Sequence, residues 1–471
     1  MEEHTFHNCT HSLHSHGDTH ELRTFLAYIE QCNLVALSLE PTPVREPKSV
    51  IQRNSNKRNP CSKRMDEAYS IKRINGSHIN SPANEQIVDE PSSDGEDVNC
   101  IDIKKQPAFE NILLKNHVLQ AWPSEIPKPI GTFQKDKRQT FEAHVSTAMC
   151  PEGTVSIRAG NDTVSRRTEP DRTNYTPGHE YAIMVMKTQQ KLYGTKSTIN
   201  VWNPAIEDEA KEMSISQIWI SSGGYDYGNL NTIEVGLQVL PKLYRDNKTR
   251  LFLFWTNNAY KTGCYNVRCP GFIQTSGNIV IGGAISQVSS FGSSQYEITV
   301  NVWKDRNSGN WWLCLNNELV GYWPAELFTS LADHAESIEW GGEIVNSQSF
   351  GRHTKTQMGS GHFPDEGFGK SSYFRNLEVV YDNNSLQSIQ NLKSITTNPE
   401  CYKIKDLRTR EWDTHFFFGG PGFGHADSGA VSSALRFNPY AQEGFPEKTQ
   451  RGEKEKTKLK IPLHYRNLEG R

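Results

Sequence analysis

Two segments of this sequence can place pairs of polar side chains on one surface. Residues 232–240 read TIEVGLQVL, and residues 337–345 read SIEWGGEIV. Side chains alternate between the two faces of a β-strand. In the first segment, Glu234, Gly236 and Gln238 therefore share a face, and the opposite face is apolar throughout. A carboxyl group and an amide are thus separated by a residue that has no side chain.

The second segment repeats this arrangement. Glu339, Gly341 and Glu343 share one face, again with a glycine between two polar side chains. Glycine in a strand lets another backbone approach closely. Two such faces together would form the floor of a cleft. Gly236 and Gly341 would then make room for a substrate backbone, and Gln238 would offer it a hydrogen bond.

Paired carboxyl groups can hydrolyse a peptide bond without a metal ion or a covalent intermediate. Two carboxyls that share a site do not easily ionise together, so one stays protonated while the other is ionised. The ionised group can take a proton from water, and the protonated group can serve the leaving nitrogen as an acid. This division suits acid pH. The pattern alone leaves another interpretation open, in which the glutamates only decorate the solvent-exposed face of a sheet.

The elements that must position these glutamates are predicted to be strands. Short β-rich segments separated by turn signals follow one another from about residue 179, and no helical periodicity intervenes. This spacing is typical of an all-β protein, an antiparallel β-sandwich of jelly-roll-like form. The predicted strands occupy residues 197–203, 214–220, 232–240, 250–256, 278–285, 296–303, 310–315, 337–345 and 373–381.

Shifts in composition divide the chain into five parts. Residues 1–97 are polar and irregular and predict a largely disordered N-terminal segment. Residues 98–158 predict a small compact unit, joined through an exposed, cleavable linker at 159–178. Residues 179–424 form the predicted β-sandwich, and residues 425–471 form a polar tail.

Several functional classes are disfavoured by the composition. The 471 residues carry a formal net charge of −3, so no overall field favours nucleic acid. No run of 18 apolar residues exists, and no membrane-spanning helix or membrane partner is predicted. The string HEYAI at 179–183 begins like a zinc-binding helix but has no second histidine. We therefore predict no metal and no cofactor.

The cysteines and glycosylation motifs bear on the compartment. Cys264 and Cys269 lie in a turn-rich connection and are predicted to form a disulfide that closes a small loop, whereas Cys314 is expected to be a reduced core residue. Six N-glycosylation sequons agree with a secreted protein. The N-terminus shows no apolar stretch of the kind that marks a signal peptide.

Long strings of this sequence resemble the neprosin family of plants. Residues 100–120 (CIDIKKQPAFENILLKNHVLQ) are similar to the family's propeptide. The strings that resemble its catalytic domain lie at 217–274, which contains NTIEVG and GCYNVRCPG, at 322–328 (YWPAELF), 338–347 (IEWGGEIVNS), 356–376 (TQMGSGHFPDEGFGKSSYFRN) and 417–422 (FFGGPG).

This resemblance implies a secreted glutamic endopeptidase that cleaves after proline at acid pH. The family's two catalytic glutamates stand in its NxIExG and WGGE strings, which correspond to Glu234 and Glu343 here. Residues 98–158 would be an inhibitory propeptide that covers the cleft. The implied substrate is a peptide or protein, with proline-rich ones included, and the implied location is secreted, cell-wall or vacuolar.

The sequence departs from the family at three places. Leu237 stands where the family usually has tryptophan, and by alternation it faces the core. The chain runs on after GGPG, where the family usually ends in a cysteine, so Cys401 would lack its usual partner. The family also begins with a signal peptide, whereas no signal peptide is predicted at the start of this sequence.

Two other functions stay open at this level. The same sandwich could be a non-catalytic extracellular protein that binds a peptide or a glycan in the cleft without turnover. Paired carboxyl groups also suit the hydrolysis of glycosidic bonds.

Overall fold

The structure is a computed structural model that describes residues 88–93, 95–130, 138–159, 178–224, 227–349 and 352–423. Most of the predicted N-terminal segment, nearly all of the linker and the C-terminal tail therefore lie outside the described residues. Within them, helix is confined to short turns, and no helix is both long and apolar enough to cross a bilayer. The helices are the 3-10 turns Pro107–Glu110, Ile112–Leu114, Ala325–Leu327 and Pro364–Glu366, and the α-helical turn α1, Pro241–Tyr244.

The N-terminal part of the described chain contributes five strands. A three-stranded sheet, in the order β1-β2-β5, stands by itself, while β3 and β4 each run parallel to a strand of the main body, β3 to Ser385–Ser388 and β4 to Gln295–Lys304. The strand bounds are β1 Val88–Pro91, β2 Asp97–Asp102, β3 Lys128–Pro129, β4 Thr140–Glu142 and β5 Thr154–Arg158.

Two larger sheets form the main body. The first sheet has seven antiparallel strands in the order β11-β10-β9-β8-β16-β6-β19. Its strands are β6 His179–Leu192, β8 Ser214–Ser222, β9 Asn231–Val239, β10 Arg250–Asn257, β11 Thr262–Tyr265, β16 Ala335–Val345 and β19 Lys393–Thr396.

The second sheet has eleven strands and includes β3 and β4. Its core path runs β12-β15-β14-β13-β7-β17-β18-β3, and β20 and β21 join it through β17. The remaining bounds are β7 Gly194–Asn200, β12 Ile273–Gln274, β13 Gln295–Lys304, β14 Trp311–Leu315, β15 Glu318–Trp323, β17 Ser372–Val380, β18 Ser385–Ser388, β20 Lys403–Thr409 and β21 Asp413–Gly419.

The core lies between these two sheets. Ile233, Val235 and Leu237 of β9 belong to the same buried apolar cluster as Val300 and Val302 of β13. The prediction that one face of the 232–240 segment is buried in the core is therefore confirmed, including for Leu237. The architecture is the all-β sandwich that the alternation of apolar residues predicts.

All predicted strands except 278–285 overlap strands of the structure. This apolar segment instead makes a turn at Gly282, whose φ of +83° is accessible mainly to glycine. Only isolated bridges involve it, among them Ile279 with Thr147 and Ile285 with Val145. The prediction was wrong because apolar residues can be buried by packing against another segment as well as by a sheet.

The described part of the predicted propeptide packs mainly on the second sheet. The indole of Trp303 donates to the carbonyl oxygen of Glu125 at 2.9 Å. The backbone N–H of Ser124 donates to the carboxylate of Asp305 at 2.8 Å. Ala108 belongs to the same buried apolar cluster as the core of the sandwich. This segment is thus built into the sandwich by buried apolar and polar contacts.

One ion pair connects this segment with the first sheet. Glu96 lies 2.5 Å from the guanidinium of Arg250 and 2.6 Å from that of Arg158. Ser124 and Glu125 of this segment contact the strand end and loop at Trp303 and Asp305 of the second sheet, and the expectation that residues 98–158 cover the cleft stays a prediction.

Two disulfides join described cysteines. Cys264 bonds to Cys269, and a second disulfide, which the sequence analysis did not anticipate, joins Cys100 to Cys150. Cys314 is also disulfide-bonded, so the expectation of a reduced thiol was wrong. Its position inside a buried strand predicts burial, but burial does not decide oxidation. Cys401 is buried and free.

We expect the Cys100–Cys150 disulfide to contribute more stability than Cys264–Cys269. The two bonds close loops with sequence separations of 50 and 5 residues. The loop-entropy relation assigns them about 4 and about 2 kcal/mol of the free energy of unfolding. Denaturant unfolding of the two paired cysteine-to-serine variants of the full chain measures this order. An equal or smaller loss for the longer loop would contradict it.

Candidate active site

The two predicted catalytic glutamates come from strands that are not neighbours. Glu234 lies on β9 and Glu343 on β16, and β8 runs between them in the first sheet. In the register of these strands, Gln217 of β8 stands opposite Gly236 on one side and Gly341 on the other. Because residues directly opposite share a sheet face, a glutamine side chain rises between the two carboxyl groups.

Gln217 bridges the two carboxyl groups. Its Nε2 atom lies 3.5 Å from Oε2 of Glu234 and 3.3 Å from Oε2 of Glu343. The exposed fractions of Glu234, Glu343 and Gln217 are 1%, 3% and 0%. Buried charges require polar partners. The alternative in which these glutamates decorate a solvent-exposed face does not agree with this burial.

Hydroxyl groups contact the Glu234 carboxyl group. Tyr260 donates to its Oε1 atom at 2.9 Å, and Thr232 donates to the same oxygen at 3.0 Å. Thr232 also shares a hydrogen bond with Thr256 on the neighbouring strand. These bonds fix the orientation of Glu234 from its own strand and from the loop that follows β10.

Histidine and tyrosine contact the Glu343 carboxyl group. Nδ1 of His179 lies 2.5 Å from Oε1 of Glu343, and the hydroxyl of Tyr181 donates to that oxygen at 3.4 Å. Both belong to β6, the strand that pairs with β16. The 179–183 string that begins like a zinc-binding helix is therefore part of a strand. Among the described residues, no group of acidic, histidine or cysteine side chains is arranged to hold a metal ion.

The two predicted glycines are required by close approach between strands. A Cβ atom at Gly236 would lie 2.2 Å from the carbonyl oxygen of Ser216 and 2.7 Å from Cβ of Gln217. At Gly341, where φ is +148°, a Cβ atom would lie 2.3 Å from the carbonyl oxygen of Ala182. These glycines leave the space that Gln217 and the strands need. Their role in admitting a substrate backbone stays a prediction.

Gln238 shares the sheet face of Glu234 but lies away from the bridge. Its amide nitrogen is 3.8 Å from the sulfur of Met213, and its buried Oε1 atom has no hydrogen-bond partner among the described residues. Oε1 of Gln217 and Nε2 of His179 are likewise buried and have no hydrogen-bond partner in the described part of the chain. Buried polar atoms without partners are rare and call for a water or a ligand. These atoms near the carboxyl groups could therefore form hydrogen bonds with a water molecule or a substrate amide.

Aromatic side chains flank Glu234 on the same face. In the strand register, Trp219 stands opposite Glu234 on one side and Phe254 on the other. The ring centroids of Phe254 and Tyr265 are 4.3 Å apart. Glu339 stands on the far side of Trp219, where it accepts a hydrogen bond from its own strand. The candidate site therefore combines two carboxyl groups with apolar surfaces for substrate side chains.

The sequence analysis missed Gln217, His179 and Tyr260. Gln217 had a signal, because it is a polar residue that alternates with Ile215 and Trp219 along a predicted strand. Nothing in the local pattern pointed to His179, which stands at the start of β6, or to Tyr260, which lies in a turn.

Another histidine–glutamate pair lies away from the carboxyl groups. Nε2 of His353 is 2.8 Å from Oε2 of Glu180. Burial acts to lower the pKa of His353, but the hydrogen bond and charge of Glu180 outweigh it, and the net pKa is raised.

We expect this pair to make stability pH-dependent in a defined direction. A histidine whose pKa is raised on folding stabilises the protein fully below its unfolded pKa, and this contribution is lost as the pH rises through the folded pKa. The difference in free energy of unfolding between the parent and His353→Gln should therefore shrink above pH 6.5. Denaturant unfolding between pH 5 and about 8 measures it. A difference that grows with pH would contradict the assignment.

Solved structures that are similar to this chain at low sequence identity include two peptidases. The scytalido-glutamic peptidase with a peptide-based transition-state analogue shows 11% identity and a TM-score of 0.27, over 52% of this chain and 98% of that one. SCP-B, an eqolisin-family peptidase in complex with the tripeptide Ala-Ile-His, shows 11% identity and a TM-score of 0.23, over 51% of this chain and 96% of that one. Similarity at this level does not extend to individual residues.

Family models match most of the described chain. The Neprosin model matches residues 210–421, which include Gln217, Glu234 and Glu343. The Neprosin activation peptide model matches residues 91–174, which precede the first sheet. The two matches leave residues 175–209 between them and stand in the order expected for an activation peptide followed by its catalytic sandwich. The chain belongs to the neprosin family and carries the family's activation peptide.

Proposed function

We propose that this protein is a glutamic endopeptidase that cleaves peptide bonds after proline at acid pH. The observation that supports this most strongly is the Gln217 amide between two buried carboxyl groups, those of Glu234 and Glu343. Two carboxyl groups that share a donor at this proximity favour a state in which one is ionised and the other protonated. That state supplies a base and an acid at the same site.

The proposed reaction begins with a water molecule between the carboxyl groups and the substrate carbonyl. The ionised carboxylate takes a proton from the water as its oxygen attacks the carbonyl carbon. The protonated carboxyl donates a hydrogen bond to the carbonyl oxygen and then delivers its proton to the leaving nitrogen as the C–N bond breaks. Each glutamate has then exchanged its protonation state with the other, and proton transfer through solvent restores the starting state.

Gln217 is suited to stabilise the charge that develops on the carbonyl oxygen. Its Nε2 atom already lies within 3.5 Å of both carboxyl groups. A fixed amide donor that faces a developing oxyanion contributes most in a site that excludes water. Gln238 is a second candidate donor, to the oxyanion or to the substrate backbone.

Selectivity for proline is supported by the aromatic side chains beside Glu234. Trp219 and Phe254 stand on either side of it in the strand register. Proline presents a flat apolar ring and no N–H, so it binds through apolar contact with such surfaces. A proline-rich peptide is therefore the proposed substrate class.

Latency is proposed to depend on the activation segment and on cleavage of the 159–178 linker. The ion pair of Glu96 with Arg250 holds this segment to the first sheet, and Arg158 of the segment itself contacts the same carboxylate. Burial acts to raise the pKa of Glu96, but the hydrogen bonds and charges of both arginines outweigh it, and the net pKa is lowered. Incubating the full chain at acid pH and sequencing the new N-terminus tests the cleavage. An intact chain that is already fully active would refute the inhibitory role.

We expect Glu96→Gln to shorten the lag before activity by several-fold at pH 5. A carboxylate whose pKa is lowered on folding stabilises above its unfolded pKa, and this contribution is lost as the pH falls through the folded pKa. The difference from the parent should therefore vanish at lower pH. Glu110→Gln, an exposed residue of the same segment, is the matched control. An equal lag in the parent and Glu96→Gln at pH 5 would show that this pair does not restrain activation.

A secreted, cell-wall or vacuolar location is part of the proposal. Disulfides such as Cys100–Cys150 form in oxidising compartments. The sequon asparagines Asn247 and Asn383 are exposed, which is compatible with glycans at both. Glycosidase digestion of the protein isolated from its source, followed by mass analysis of these two sites, tests the secretory route.

The proposed activity is tested by assaying the acid-processed protein on a proline-containing peptide and on a plant polysaccharide. Peptide cleavage after proline, abolished by Glu234→Gln, supports the proposal. Cleavage of the polysaccharide alone would indicate a glycosidase. Peptide binding without turnover would indicate a non-catalytic binding protein.

A further inference from the structure

Glu343 has an ionisable neighbour that the two-glutamate mechanism does not use. Nδ1 of His179 lies 2.5 Å from Oε1 of Glu343, and the two side chains are 18% and 4% exposed. Tyr181 stands directly opposite Glu343 in the β6–β16 register, so His179, two residues earlier, reaches the same carboxyl group diagonally. The pair is therefore set by strand register and does not depend on a loop.

The hydrogen-bonding partners of the two carboxyl groups differ in kind. A hydroxyl can donate or accept a hydrogen bond, whereas the N–H of an imidazolium can only donate. Thr232 and Tyr260 contact Glu234 through hydroxyls, which suit either of its protonation states. A protonated His179 at this distance stabilises an ionised Glu343 more than a neutral one, because its positive charge attracts the carboxylate. Among the described contacts, a histidine is therefore the feature that distinguishes Glu343 from Glu234.

The titratable groups around this imidazole are few among the described contacts. Glu343 faces it from β16, and the ring of Tyr181 stacks beside it on β6 at 6.4 Å. Glu180 lies between them in the chain but faces the other side, where it pairs with His353. Within the described chain, Glu343 is therefore the carboxyl group that this imidazole faces.

We propose that His179 is a positioning residue which, as an imidazolium, selects Glu343 as the ionised general base and leaves Glu234 as the acid. This inference rests on the proposed function, because it assigns the two roles within that mechanism. Nε2 of His179 has no hydrogen-bond partner in the described chain, so the second N–H of the imidazolium is available to water or substrate.

The kinetic test is the pH dependence of kcat/KM for acid-processed His179→Gln, which keeps an N–H donor but loses the charge. Without the cation, ionisation of Glu343 requires a higher pH. The acid limb, the part of the profile in which kcat/KM rises with pH, should therefore shift to higher pH by roughly one pH unit. At pH 4 this corresponds to about a ten-fold loss that is recovered at higher pH. His179→Arg restores a cation and should return the limb toward that of the parent. His353→Gln removes the other histidine–glutamate pair and should leave the limb in place.

A second measurement separates this inference from the proposed activity. Infrared spectra are recorded on full-length protein with ¹³C-labelled glutamate. Subtracting the spectrum of the Glu343→Gln variant leaves the bands of the Glu343 carboxyl group. At pH 4 we expect the carboxylate band in the parent and an increased carboxylic-acid band in a His179→Gln background. If this shift appears but no peptide is cleaved, His179 controls the ionisation of Glu343 as inferred, while the proposed function and the acid and base roles fail. If neither the acid limb nor the carboxyl band responds to His179→Gln, the inference is overturned.

Discussion

Glu234→Gln and Glu343→Gln should each lower kcat/KM on a proline-containing peptide by several orders of magnitude. Each change removes one partner of a coupled proton transfer while keeping the shape and the hydrogen-bonding capacity of the side chain. Residues that act as one unit are strongly non-additive, so the double variant should be little worse than either single one. Steady-state kinetics of the acid-processed proteins across the acid range measures all three.

Glu339→Gln is the matched control for these variants. Glu339 lies on β16 four residues before Glu343, on the same sheet face, and is 6% exposed. It stands on the far side of Trp219 from Glu234, so its loss should change activity far less. Near-normal turnover by a folded Glu234→Gln or Glu343→Gln protein would show that the two-glutamate mechanism is wrong for this chain.

Gln217→Ala should lower kcat by about 10²- to 10³-fold, the cost of removing one donor to an oxyanion. The amide also spaces the two carboxyl groups, because it is the one described side chain bonded to both. Its loss should therefore change the pH–rate profile as well as the maximal rate. Gln217→Glu would put a third carboxyl between the other two and should be at least as damaging, because like charges in one buried site repel.

Gln238→Ala gives the comparison that tells a central donor from a peripheral one. Gln238 is as buried as Glu234, yet its amide nitrogen contacts the sulfur of Met213. We expect a smaller effect, seen mainly in KM if the amide meets only the substrate backbone. A larger loss of kcat for Gln238→Ala than for Gln217→Ala would transfer the oxyanion role to Gln238.

Much of the sandwich follows from the sequence because its signals are local. Alternation along 232–240 correctly separates the apolar face of Ile233 and Val235 from the face that carries Glu234. The prediction failed at 278–285, where an apolar run turns at Gly282 and is buried by another segment. Periodicity reports which residues are buried, and it does not report what buries them.

The sequence by itself determined the family resemblance and the all-β class, and it predicted the two glutamates, since each depends on residue identity or on a period of two. Only the tertiary structure decided that β8 lies between the two glutamate strands, so that Gln217 joins them. It also decided that His179 contacts Glu343, 164 residues away in the chain. Strand order and register arise from pairing between distant segments, and no local pattern encodes which distant strand becomes a neighbour.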